Sequence, residues 1–236
     1  MDITIDNWIG IIEVDDFSPL NRGDIAFTTA LRNAVVDLSD NDFVKVIVLR
    51  SRGDFAPAQL APDPDPALIF TDWSRTVSGA SALYQSMTFS KKVILTEVAG
   101  ECSGAGSLLV LSSDLTVAAH DATFASPFAE HPEANFVLAA LTIRLNRAKA
   151  WLIRDYAIDA AQADAFGLVN RVVDRDRLAS AALDMAASAA LMPLDGVVMT
   201  KMLQQAVLDA SGVGREFDMA SFYSAGLLVS HGETHE

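Results

Sequence analysis

Lys91-Lys92-Val93-Ile94-Leu95-Thr96-Glu97-Val98-Ala99-Gly100-Glu101-Cys102-Ser103-Gly104-Ala105-Gly106 reads as a strand, a glycine-rich turn and the start of a helix. The apolar run predicts a strand over Lys92–Val98 and a helix from about Ala105. Small residues in such a turn let a ligand approach the main chain, and free N–H groups can then face an anionic oxygen. A tight strand-to-helix connection with no ligand is the alternative reading of the same residues.

A second segment of this kind lies upstream. Val44-Lys45-Val46-Ile47-Val48-Leu49-Arg50 is the clearest buried strand, and Arg52-Gly53-Asp54-Phe55-Ala56-Pro57-Ala58-Gln59-Leu60 follows it. Further out, Trp8–Val14 predicts a strand, with turn chemistry at Ser18-Pro19-Leu20-Asn21. Helical spacing of Phe27, Leu31, Val35 and Leu38 predicts a helix from about Asp24 to Leu38. Asp63-Pro64-Asp65-Pro66 is a loop, and a helix is expected over about Ala67–Met87. Short β runs are expected at Leu115–Ala118 and Thr123–Ala125. After Leu168-Val169-Asn170-Arg171-Val172-Val173 come alanine-rich helical stretches at Leu178–Leu191, Leu194–Leu208 and about Phe217–Val229. Alternating strands and helices followed by terminal helices indicate an α/β core, expected over 1–190, with a helical segment over 191–236.

Composition narrows the function. With 236 residues the chain can bury roughly 70–75% of its unfolded surface. Its 51% apolar content excludes disorder, and the single cysteine, Cys102, excludes a disulfide scaffold. A formal charge of −14 argues against nucleic acid or an anionic membrane as partner. No basic and apolar leader opens the sequence, and no run of 18 apolar residues occurs, so a cytoplasmic location without membrane insertion is expected.

Val44–Leu49, Gly53-Asp54-Phe55-Ala56, Lys91-Lys92-Val93-Ile94, Ala99-Gly100, Gly104-Ala105-Gly106 and Ser113-Asp114-Leu115 occur in the order and spacing of the crotonase (enoyl-CoA hydratase/isomerase) superfamily. The resemblance continues through Ala122-Thr123-Phe124 and Ile158-Asp159-Ala160-Ala161-Gln162-Ala163 to Gly167-Leu168-Val169-Asn170, and covers roughly residues 2–230. It implies a spiral of β-β-α units with C-terminal helices, assembled as a homotrimer or hexamer. It also implies an acyl-CoA thioester or related ketone as substrate, with no other cofactor and no metal. By the same matching, the amides of Gln59 and Ala105 would polarise the carbonyl and stabilise an enolate.

The sequence departs from that pattern where proton transfer belongs. The positions of the two hydratase glutamates fall on Leu108 and Phe128, and Leu60 stands where the first loop carries an acid. These three are expected to line an apolar substrate pocket. Pro57 and Ala58 replace the usual Ala-Gly, the stretch from Phe124 to Ile143 is about four residues short, and the sequence stops near the turn before the family's last helix. A general acid or base contributes about 10²–10⁴ in rate, so ordinary enoyl-CoA hydration is not expected.

Glu130-His131-Pro132-Glu133 concentrates ionisable groups just beyond the lost second carboxylate, and Glu130 and His131 are the candidate replacements. A solvated polar turn is the plain alternative. Some branches of the superfamily relocate their acid/base groups, and one cleaves carbon–carbon bonds of diketones with His and Asp and without CoA. Glu101 is read as an exposed turn carboxylate with an outside claim on a bound carbonyl, and Cys102 as a small buried filler. Arg144 and Arg147 are expected on one helix, paired with acids. His120, His131, His231 and His235 lack metal-ligand spacing, and no nucleophile elbow or complete dinucleotide fingerprint is present. Two functions remain: an atypical enzyme using the backbone donors, or an inactive binding or assembly subunit.

Overall fold

The structure is a computed structural model and describes residues 1–59, 69–128, 131, 133–154 and 156–219. Among the described residues, nine strands form two sheets. The larger has six strands: β1 (Asp2–Asp6), β2 (Ile9–Val14), β3 (Val46–Ser51), β4 (Val93–Val98), β6 (Leu115–Ala119) and β9 (Arg171–Val173), adjacent in that order. Only β1 is antiparallel to its neighbour. The smaller sheet joins β5 (Glu101–Cys102), β7 (Thr123–Phe124) and β8 (Ile158–Asp159).

Both faces of the larger sheet are covered, which is why β3 reads as a continuous apolar run rather than an alternating one. Ile47 and Leu49 enter one core with Phe17, Leu31, Tyr84 and Trp151. Val46 and Val48 enter a second core beneath α8 (Leu178–Ala190). Leu178, Ala181, Ala182, Ala186 and Ala190 supply that helix's buried stripe.

The repeat is a long strand, a short strand and a helix. After β3, Ala56 bridges in parallel to Cys102, and α3 (Ile69–Thr88) follows. β4 leads into β5 and then α4 (Ala105–Leu111). β6 leads into β7, followed by α5 (Phe136–Ile143) and α6 (Leu145–Arg154). This is the expected spiral of β-β-α units. On the N-terminal side lie α1 (Ser18–Asn21) and α2 (Ile25–Asp40), the latter capped by the Asp24 side chain on the Phe27 amide. α7 (Ala160–Phe166) begins with a capping box between Asp159 and Gln162 and ends at Gly167 in a left-handed conformation.

β9 follows a turn in which Leu168 and Val169 are buried and the Asn170 side chain accepts from the Thr116 amide. One placement differs from expectation. Arg144 and Arg147 do not share a helix. Arg144 takes φ +71° at the break between α5 and α6, and Arg147 donates to the Ala165 carbonyl (2.5 Å) while stacking over Phe166. Among the described residues, no single helix is long and apolar enough to cross a membrane.

The last helices are tied to the core by charge. Lys201, buried on α9 (Leu194–Ser211), reaches Asp114 at 2.6 Å. Helical residues 213–219 carry Glu216, whose two carboxylate oxygens accept from the first amides of α5, Phe136 (2.9 Å) and Val137 (2.7 Å). Asn135, which caps the same helix, donates to the Val213 carbonyl.

Candidate functional site

The two loops singled out from sequence are stitched together by main chain. Phe55 donates to Ala99, Ala56 to Glu101, and Ser103 back to Ala56, each at 2.8 Å. Such close approach requires small residues. A Cβ on Gly106 would fall 2.3 Å from the Cβ of Ala56. Glu101 completes the seam: its carboxylate accepts from the Ala58 amide (3.0 Å) and the Ser103 hydroxyl (2.7 Å). It is therefore a half-buried clamp between the loops, not the exposed turn carboxylate expected.

Gly104, at φ +48°, turns the chain into α4 and presents the Ala105 amide. Two side chains crowd this turn. A Cβ on Gly104 would lie 2.5 Å from Nε2 of His131 and 2.8 Å from Oδ1 of Asn21. Only glycine tolerates both that backbone conformation and those neighbours. Asn21 Oδ1 accepts from the Ala105 amide at 2.8 Å, and its Nδ2 donates to the Pro57 carbonyl at 3.1 Å.

His131 is buried, with only 8% of its surface exposed, and so is not itself a solvated side chain. Its Nδ1 faces Glu133 at 3.2 Å, and Glu133 is buried as well. Burial of both leaves the pair little solvent screening. Tyr84, on α3, lies within the electrostatic reach of Glu133. Its phenol is pushed well above the ordinary value, first by burial and then by that carboxylate. A carboxylate on one imidazole nitrogen fixes the tautomer and leaves the other nitrogen, here beside Gly104, for chemistry.

The remaining candidates divide. Leu108 is packed in the main core, and Phe128 stacks edge-on against Phe136 (5.7 Å) and Trp151 (6.3 Å) at that core's border. Gln59 is exposed at the end of the first loop. Glu130 and Leu60 lie outside the described residues. Cys102 is fully buried, and burial pushes its thiol far above the ordinary range despite a contact with Ser107. That leaves it a packed thiol rather than a nucleophile.

Two partners in this site were not selected from sequence. Glu133 stood in the quoted strip, but nothing in one-dimensional spacing says that it turns inward. Asn21 carried only a turn signal, and its relation to Ala105 is purely tertiary.

A mixed α/β spiral with a parallel-rich sheet and a glycine turn beside a short helix defines the crotonase architecture. The chain matches the family described as "Enoyl-CoA hydratase/isomerase" over residues 4–227 and belongs to that family. It is 30% identical over 184 residues to the (7aS)-7a-methyl-1,5-dioxo-2,3,5,6,7,7a-hexahydro-1H-indene-carboxyl-CoA hydrolase of Mycobacterium tuberculosis, covering 75% of this chain and 73% of that protein. It is 32% identical over 115 residues to the mevalonyl-coenzyme A hydratase of Aspergillus fumigatus, covering 46% and 42%. Among solved structures, a probable enoyl-CoA hydratase from Mycobacterium smegmatis superposes with TM-score 0.80 at 22% identity, over 95% of this chain and 93% of that one. Another from Mycobacterium thermoresistibile superposes with TM-score 0.79 at 24% identity, over 95% and 93%. At those identities the structural likeness speaks for the fold alone.

Proposed function

We propose that this chain is an atypical crotonase-family enzyme that stabilises the enolate of an acyl-CoA thioester or a related 1,3-dicarbonyl compound. The observation that carries the reading is the buried His131–Glu133 pair, with Nε2 set against the Gly104 turn that presents the Ala105 amide. In this scheme the amides of Ala105 and Gln59 hold the carbonyl oxygen, and each such donor contributes on the order of 10²–10³ in rate. His131 is the acid/base group in place of the side chains absent at Leu108 and Phe128, and Glu133 orients it. An apolar floor around Leu108 and Phe128 receives the acyl portion.

Hydrolysis of a 1,3-dicarbonyl suits this set of groups. His131 takes a proton from water, and the hydroxide adds to one carbonyl. The carbon–carbon bond then breaks, and its electron pair passes into an enolate held by the backbone donors. The proton on His131 returns to the enolate carbon. The related mycobacterial protein is named as a hydrolase of a dioxo acyl-CoA, which supports hydrolysis of a carbonyl-bearing acyl-CoA, whereas the Aspergillus relative is named as a hydratase.

The test is incubation with acyl-CoA esters and cyclic and open-chain 1,3-diketones, followed by mass spectrometry. Turnover of a dicarbonyl is expected. His131→Gln should lower kcat by about 10²–10⁴, with Glu133→Gln also impaired. Turnover that survives His131→Gln unchanged would remove the base from this scheme.

A second reading, an inactive binding or assembly subunit, has one observation in its favour: the Ala105 N–H is already bonded to Asn21. It predicts silence against every substrate class and a thermal midpoint unmoved by CoA esters. On either reading a homotrimer or hexamer is proposed. The exposed stripe Met199, Met202, Leu203 and Val207 on α9 is the surface suited to meet another copy.

A further inference from the structure

Ala105 is almost wholly buried, and a buried N–H requires a partner. Asn21 supplies it from across 84 residues of chain. Only one orientation of the Asn21 amide fits, because Ala105 offers a donor and Pro57 a carbonyl. The side chain therefore spans the two loops and keeps their spacing, with its own carbonyl oxygen resting on the Ala105 N–H. His131 Nε2 closes on the same turn, 2.5 Å from where a Cβ on Gly104 would lie, against 2.8 Å for the Asn21 oxygen. An imidazole nitrogen and an amide oxygen that both close on the Gly104 turn, the second already on the Ala105 N–H, outline a position that suits a carbonyl.

We propose that Asn21 is a displaceable stand-in for the substrate carbonyl, a positioning residue that keeps the Ala105 amide paired until an incoming oxygen takes its place. This rests on the reading that Ala105 polarises the substrate. Displacement exchanges one neutral hydrogen bond for another when the ligand is an ordinary carbonyl, and so gains little. An enolate oxygen forms a charge-assisted bond roughly twice as strong, and so wins the exchange. Asn21 thereby tunes the site toward carbonyl compounds that ionise readily.

The experiment uses acetoacetyl-CoA and 1,3-cyclohexanedione as probes, reading enolate formation by near-ultraviolet absorbance and binding by calorimetry. Asn21→Ala removes the competitor, and the enolate complex should tighten by about two- to tenfold. Asn21→Asp is nearly isosteric but sets a carboxylate on the Ala105 amide, so the complex should loosen by about tenfold or more. A merely structural role would move both variants in the same direction.

Wild-type binding with Asn21→Ala equal or weaker would overturn the stand-in role and leave the proposed function intact. Binding by Asn21→Ala alone would support it. Absence of an enolate complex with every protein would overturn the proposed function, and the stand-in role with it. Should the alanine variant fail to fold, Asn21→Asp decides: unchanged affinity overturns the proposal.

Discussion

Tyr84 and Cys102 are acids buried in their protonated forms, and this gives the molecule an alkaline weakness. Burial raises both above their ordinary values of 10.0 and 9.0. Between the unfolded and folded values, the unfolded chain has released a proton that the folded chain still holds. Stability then falls as pH rises, by about 1.4 kcal/mol per pH unit for each group at full effect. The contribution is complete below about pH 9 and is lost above it, first through Cys102 and then through Tyr84. Urea midpoints measured from pH 7 to 11 should fall on the alkaline side, with Cys102→Ala flattening the curve from about pH 9 and Tyr84→Phe from about pH 10. A parallel decline in Tyr84→Phe would show that the phenol ionises as readily in the folded protein as in the unfolded chain. At this scale sequence was least informative. Ala105 and His131 were legible as chemistry, but the inward turn of Glu133 and the reach of Asn21 depend on where chain segments meet.

At the scale of elements, sequence was far more informative. Val44–Arg50 and Lys92–Val98 announced strands, and the first reads as a continuous apolar run because both faces of the sheet are covered. Asp159, Gln162 and Gly167, quoted from sequence only as part of the family resemblance, cap both ends of α7 in the structure. Less legible was the junction of α5 and α6, since Phe136–Ile143 is apolar enough to hide its own caps. Its N-terminus is held from outside, by Glu216 on the last helical segment. Glu216→Ala leaves the Phe136 and Val137 amides without acceptors and should cost about 1–3 kcal/mol in chemical denaturation. Glu216→Gln keeps one acceptor oxygen and should fall between that variant and wild type. A neutral outcome for the alanine variant would mean that water replaces the carboxylate without penalty.

The whole molecule is held as one body by contacts that cross its length, Lys201 to Asp114 and Asn135 to Val213. On the outside of the same α9, four large apolar side chains face solvent. Met202→Glu with Leu203→Glu should shift the protein to monomer in light scattering while preserving its circular dichroism. An unchanged mass would place the subunit contact elsewhere. The sheet's own rim carries a different consequence. β1 is an exposed edge strand of sequence Asp-Ile-Thr-Ile-Asp, with Ile3 and Ile5 open to solvent and Asp2 engaged by Arg52. Unpaired strand edges invite another chain to extend the sheet. The two aspartates flank the isoleucines, and with a pI near 4.5 the whole particle shares their sign at neutral pH. Colloidal stability is thus written into the edge: the charge that keeps neighbouring molecules apart guards the strand that would otherwise join them.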